Sequence, residues 1–121
     1  MTLSLTPMHR LVARLNGQPV DRAPNFDIFM AYGVHHIGAK LRDYYLDYRT
    51  LVRANLAMLE GCQVDLVQAI SDPYREAVDW GLDVEFPEDG LPLRRRPLIE
   101  TPEDLGRLRR PDPASGRRMS D

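Results

Sequence analysis

Cysteine is nearly absent: Cys62 is the single one in 121 residues. No intrachain disulfide can therefore close, and no cysteine-based zinc site can be assembled from this chain. Lysine is equally scarce, with Lys40 alone among 16 basic residues, so arginine carries nearly all the positive charge, a skew that reads as coding bias before function. No window approaches the ~18 apolar residues that a membrane helix needs. The opening run Met1-Thr-Leu-Ser-Leu-Thr-Pro7 lacks the basic-then-apolar order of a secretory leader. A reducing, cytoplasmic setting without a membrane partner is expected. Neither sign of charge dominates, since the net charge is −2, and this excludes a general pull toward nucleic acid or anionic lipid. Internal repeats and low-complexity tracts are also missing.

What is present is ordinary for a soluble globular chain, with 43% hydrophobic and 28% charged residues, enough for one domain with a modest core. Thr6-Pro7 opens a helix, with a side-chain oxygen at the N-cap and proline at the first helical position. Met8, Leu11, Val12 and Leu15 follow on one apolar face, and Asn16-Gly17 stops it. A loop over 18–24 leads to a strand over 25–30, with Phe26, Ile28 and Met30 on one side. Gly33 and Gly38 bracket a short turn carrying His35 and His36, and Leu41, Tyr44 and Tyr45 suggest another helical piece. With Asp47 as N-cap, 48–61 reads as a helix whose apolar stripe is Leu51, Val52, Leu56, Leu59 and Cys62. The nearly unbroken apolar run Val64–Ile70 suits a parallel strand covered on both faces.

Strand, helix, strand is a βαβ crossover and implies parallel pairing. After it, Tyr74, Ala77 and Val78 mark a short helix ending near Gly81. Val84–Phe86 and Leu91–Leu93 read as a small hairpin turning at Asp89-Gly90. Thr101-Pro-Glu-Asp104 opens a last helix through Leu108. The arginine- and proline-rich run 111–121 is expected to fray, with a disordered tail over 114–121. Two parallel strands cannot make a covered sheet. The crossover therefore calls for partner strands from further chain or from a second polypeptide, and self-association is expected.

Several stretches, taken in order, resemble one family: Met8-His-Arg-Leu-Val-Ala-Arg-Leu-Asn-Gly17, Gln18-Pro-Val-Asp-Arg-Ala-Pro24, Ala69-Ile-Ser-Asp72, Trp80-Gly-Leu-Asp-Val-Glu-Phe86 and Thr101-Pro-Glu-Asp-Leu105. They are similar to the amino-terminal part of the uroporphyrinogen decarboxylase superfamily, which also contains corrinoid-dependent methyltransferases. The resemblance implies an α/β fold, a partial (βα)8 TIM barrel with the opening helices, the first two parallel strands and a small β-hairpin over residues 1–113. A complete barrel has about 250 residues, and its chemistry gathers at the carboxyl ends of the strands. Here those ends are 29–32 and 70–74.

In the family's decarboxylases an aspartate at the position matching Asp72 binds the pyrrole nitrogens of the substrate. A carboxylate can accept several N–H bonds and stabilise positive charge on a ring, although an aspartate ahead of Pro73 is also what a helix N-cap looks like. Met30, Tyr32, His36 and Tyr74 are the candidate substrate-binding neighbours of Asp72, and packing explains Met30 and Tyr32 equally well. Uroporphyrinogen carries eight carboxylates, so its site needs arginine for bidentate pairing. Family decarboxylases place an arginine-bearing run at the first strand end, whereas Phe29-Met-Ala-Tyr-Gly-Val34 has no cation.

That departure points to the methyltransferase-like branch, with tetrapyrrole decarboxylation and a non-catalytic, self-associating protein as the alternatives. The branch implies a corrinoid and zinc in the intact enzyme, with neither held by this segment alone. The family's zinc ligands fall far downstream, and adjacent His35 and His36 point about 100° apart on a helix. Cys62 reads as a small core residue, Asp27 as pocket-facing or paired with an arginine, and Arg94-Arg95-Arg96 as a solvated edge.

Overall fold

The structure is a computed structural model that describes residues 4–114 and 117–120. Helix α1 is Pro7–Leu15, α2 is Met30–His36, α3 is Leu41–Leu46, α4 is Tyr48–Gly61 and α5 is Arg75–Asp79. Strands β1 (Val84–Glu85) and β2 (Leu93–Arg94) and a 3₁₀ turn over Pro102–Arg107 complete the order.

The helix punctuation follows the sequence. Thr6 Oγ1 accepts from the His9 N–H at 3.3 Å, and Gly17 takes a left-handed φ of 68° after α1, a conformation that costs glycine nothing. Asp47 caps α4 through the Arg49 N–H at 3.1 Å. Thr101 and Asp104 close a reciprocal capping box on the 3₁₀ turn.

The core is a three-helix cluster of α2, α3 and α4, built from Val34, Leu41, Tyr44, Tyr45, Leu51 and Ala54. Met58 is also buried, and α4 lies close against α2 because Gly33 has no side chain: a Cβ there would stand 3.3 Å from Met58 Cγ and 3.4 Å from the Ala54 carbonyl oxygen. The stripe expected on α4 therefore divides. Leu51 turns inward with Thr50, Ala54 and Met58, while Val52, Leu56 and Leu59 face outward. Cys62 caps the end of α4, half-buried. Helix α1 is corrected likewise: Met8, Val12 and Leu15 are exposed, and its one buried residue is Arg10.

The two expected parallel strands do not form a ladder. Residues 23–29 and 66–72 run without regular pairing, and Met30 begins α2 instead of ending a strand. One backbone bond joins the starts of the two segments, from the Asp65 N–H to the Asn25 carbonyl at 2.9 Å. Two causes are visible. Asn25 Oδ1 takes the Asp27 N–H at 3.0 Å, a local alternative to ladder bonding. Phe26, Ile28, Leu66 and Ile70 are exposed, so no covering layer rewards alignment of the segments.

Among the described residues the sheet is the antiparallel pair β1–β2, with Val84 opposite Arg94 and Glu85 opposite Leu93. Its second strand begins at Leu93, not Leu91, because Pro92 has no N–H to donate to a ladder. Gly90 leaves room in the turn, where a Cβ would crowd Pro87 Cβ at 3.1 Å. The turn grips α3: Asp89 accepts from Lys40 Nζ at 2.5 Å and from the Leu41 N–H at 3.4 Å, capping α3 from outside. Arg42 donates to the Phe86 carbonyl at 3.0 Å. Arg94, Arg95 and Arg96 are exposed, and Arg95 pairs with Glu85 at 3.1 Å.

Residues 117–120, within the stretch expected to be a disordered tail, lie against the body of the molecule. Arg118 is buried there, its terminal guanidinium nitrogens held by the Asp72 carboxylate and the Tyr45 carbonyl. Gly116, Ser115 and Asp121 of that stretch lie outside the described residues.

Candidate active site

Asp72 ends the extended segment that follows α4, one residue ahead of Pro73. Its side chain is fully buried. Arg118 grips it with both terminal nitrogens, Nη2 to Oδ2 at 2.7 Å and Nη1 to Oδ1 at 3.2 Å. Ser71 Oγ donates to Oδ2 at 3.0 Å, and the Tyr74 N–H donates to Oδ1 at 2.9 Å. Arg118 Nη2 also donates to the Tyr45 carbonyl, and its guanidinium lies 4.9 Å from the centre of the Phe86 ring. Burial alone would push the Asp72 carboxyl up. The Arg118 hydrogen bonds, the Tyr74 N–H, the Arg118 charge and Ser71 together outweigh it, so the group is held below the usual carboxylate range. Tyr45 is pushed up, by burial first and then by the Asp72 charge.

A second buried charge cluster ties the two extended segments to α1. Asp65 has a fully buried carboxylate that pairs with Arg10 and Arg22, each at 2.5 Å, and takes the Asn25 N–H at 2.9 Å. Arg10 is also held by Asp21 in a two-pronged pair, both contacts at 2.7 Å. Asp65 is lowered despite the opposing effect of burial, by the Asn25 N–H, Arg22 and Arg10. The sequence reading did not find this cluster. Its signal was there: Asp65 is the one charged residue inside the apolar run 64–70, and a buried charge requires a partner. Asp21 and Arg22 belong to the Pro-Val-Asp-Arg motif that carried the resemblance, and their job here is to cement the helix to both segments.

The residues predicted for the site fall into two groups. Tyr74 stands beside Asp72 through its N–H. Tyr32 and His36 stack on the outer side of α2, ring centres 6.2 Å apart, with Phe29 6.3 Å from Tyr32. Met30, at the start of the same helix, packs toward the core. No hydrogen bond or ring contact joins the two groups among the described residues. Asp27 is exposed. Arg118 is the residue at Asp72 that sequence reasoning missed, because a partner 46 positions away carries no local periodic signal.

The family model for uroporphyrinogen decarboxylase (URO-D) matches residues 6–120. The chain belongs to the uroporphyrinogen decarboxylase family. Comparison with curated proteins and with solved structures finds no match. Within the described residues of this family member no three His, Cys, Asp or Glu side chains converge as a metal would require. No helix among them is long and apolar enough to cross a membrane.

Buried carboxylates make a pH prediction for this family member. Asp65 and Asp72 both have folded-state values lowered from the ordinary one. Their stabilisation is therefore fully present above the unfolded carboxylate value, about 3.9, and is lost as pH falls through the lower folded values. The urea midpoint should be level near neutrality and drop below about pH 4. In Asp72→Asn that acid slope should shrink by up to one proton per molecule; an unchanged slope would mean that Asp72 carries no linked charge.

Proposed function

We propose that the chain forms the opening wall of a (βα)8 barrel enzyme in which Asp72 is the anionic anchor for substrate. The reaction is transfer of a methyl group to a thiol, and the remaining strands come from further chain or a second copy. The carrying observation is the buried Asp72 carboxylate, which sits where the second strand of such a barrel would end and already receives paired N–H donors. The choice of methyl transfer is supported by 29–34, an uncharged stretch that leads into α2 with Tyr32 exposed on it. A substrate with eight carboxylates finds no guanidinium there. A corrinoid or similar group, when bound, would supply the methyl carbon; this chain's part is to hold the acceptor side and exclude water.

Decarboxylation of a tetrapyrrole is the second reading, favoured by the fork of N–H donors that Asp72 accepts, the same demand a pair of pyrroles would make. A non-catalytic, self-associating protein is the third, favoured by the outward apolar residues Met8, Val12 and Leu15 on α1 and Val52, Leu56 and Leu59 on α4. The gene product should be given uroporphyrinogen in one assay, and methylcobalamin with a thiol in another, followed by cobalamin absorbance. Methylation of the thiol without loss of carboxylates from uroporphyrinogen is the expected pattern. Turnover of uroporphyrinogen instead moves the assignment to the second reading. Inactivity in both assays, with a stable dimer in light scattering, moves it to the third.

A further inference from the structure

Asp72 is saturated as it stands. A carboxylate offers about four acceptor positions, and Arg118 Nη1, Arg118 Nη2, Ser71 Oγ and the Tyr74 N–H use them. No ligand can take N–H bonds from this group until a donor leaves. Ser71 and Tyr74 lie within two positions of it in the chain and cannot go far. Arg118 arrives from a separate segment.

The seat that Arg118 fills has the features of a binding site. It offers a forked anion, an aromatic face in Phe86 and a carbonyl acceptor in Tyr45, which together suit a planar, positively charged group with parallel N–H donors. Arginine does not fit it completely. Arg118 Nε is buried with no hydrogen-bond partner among the described residues, so the occupant carries an uncompensated donor. The segment is also held from outside the seat. Asp79 accepts the N–H groups of Arg117 at 3.0 Å, Arg118 at 3.1 Å and Met119 at 2.8 Å. One half-buried carboxylate thus clasps three successive backbone donors.

We propose that Arg118 is a resident, displaceable occupant of the Asp72 seat, and that a ligand with paired N–H donors engages Asp72 only by displacing segment 117–119. This rests on the reading of Asp72 as a substrate anchor, and adds how access to it is controlled. Asp79 is the clasp, Arg118 the stand-in ligand.

The test follows the Asp72 side-chain carboxyl ¹³C resonance in the wild-type chain, in Arg118→Ala and in Asp79→Ala, as methylguanidinium is added. Propylammonium, a cation without a planar fork, is the control. In Arg118→Ala the signal should move saturably with methylguanidinium and not with propylammonium, at an apparent affinity at least tenfold above wild type. Asp79→Ala keeps both partners of the ion pair and should fall between the two. If Arg118→Ala melts cooperatively yet its Asp72 signal ignores methylguanidinium, or if wild type responds equally, the proposal is overturned. Should Arg118→Ala fail to fold, Asp79→Ala decides, and a response no stronger than wild type overturns it. A tetrapyrrole that binds Asp72 with Arg118 still paired removes this inference and leaves the anchor reading standing. Methylguanidinium binding without any binding of a tetrapyrrole or thiol acceptor does the reverse.

Discussion

Asp65→Ala is expected to lower the thermal midpoint by on the order of 10 °C, more than Arg22→Ala or Asp21→Ala. The carboxylate of Asp65 is wholly shielded from water and is shared by Arg10, Arg22 and the Asn25 N–H. Removing one partner of a buried pair typically costs about 3–5 kcal/mol, because the remaining charge stays desolvated. The structure says where in that range the loss should fall. Arg22 is one-third exposed and can turn to water. Arg10 cannot, but it keeps its two-pronged bond to Asp21, so the lower end, about 3 kcal/mol, applies. At about 4 °C or more per kcal/mol for a domain near this size, the shift follows. The Asp65 side chain also takes the Asn25 N–H across the two extended segments, a link that alanine cannot make, so the variant should unfold less cooperatively as well. Differential scanning calorimetry of the three variants decides it; an Asp65→Ala midpoint equal to that of Arg22→Ala would show that the cluster is not a shared unit.

Asp72→Asn is expected to reduce kcat/KM of the intact enzyme by about 10²–10³, the usual effect of deleting one preorganised electrostatic contact at a reacting centre. The amide is nearly the same size, so the loss measures charge. It halves the acceptor capacity facing Arg118 and introduces N–H donors where Arg118 already donates. How the loss divides is informative. If the carboxylate binds substrate and transition state alike, KM rises and kcat holds; if it answers charge that develops during reaction, kcat falls. A variant with unchanged kcat/KM in steady-state assays would remove Asp72 from the site and, with it, the functional reading built on it.

Much of the local architecture is legible in the residues. Thr6-Pro7, Asn16-Gly17, Asp47 and Thr101–Asp104 each specify a helix boundary through bonds that reach only a few positions along the chain, and such chemistry acts whatever surrounds it. Family membership was legible for a similar reason, since it lies in the order of short motifs. The α4 stripe was half legible: its composition showed an amphipathic helix, but two apolar faces on one helix look alike until a neighbour covers one of them. Gly33 opposite Met58 makes that choice.

Strand formation was not decided locally. An apolar run such as 64–70 becomes a strand only when another backbone pairs with it and another layer covers it, and neither is among the described residues. The charge clusters lay further still beyond sequence reading. Arg10 with Asp65, 55 positions apart, and Arg118 with Asp72, 46 positions apart, are brought together by the path of the chain. The sequence by itself determined helices α1 and α4, their caps and the family, because these depend on near neighbours and motif order. Only the tertiary structure decided which arginine answers which aspartate, because a buried charge selects its partner by proximity in space.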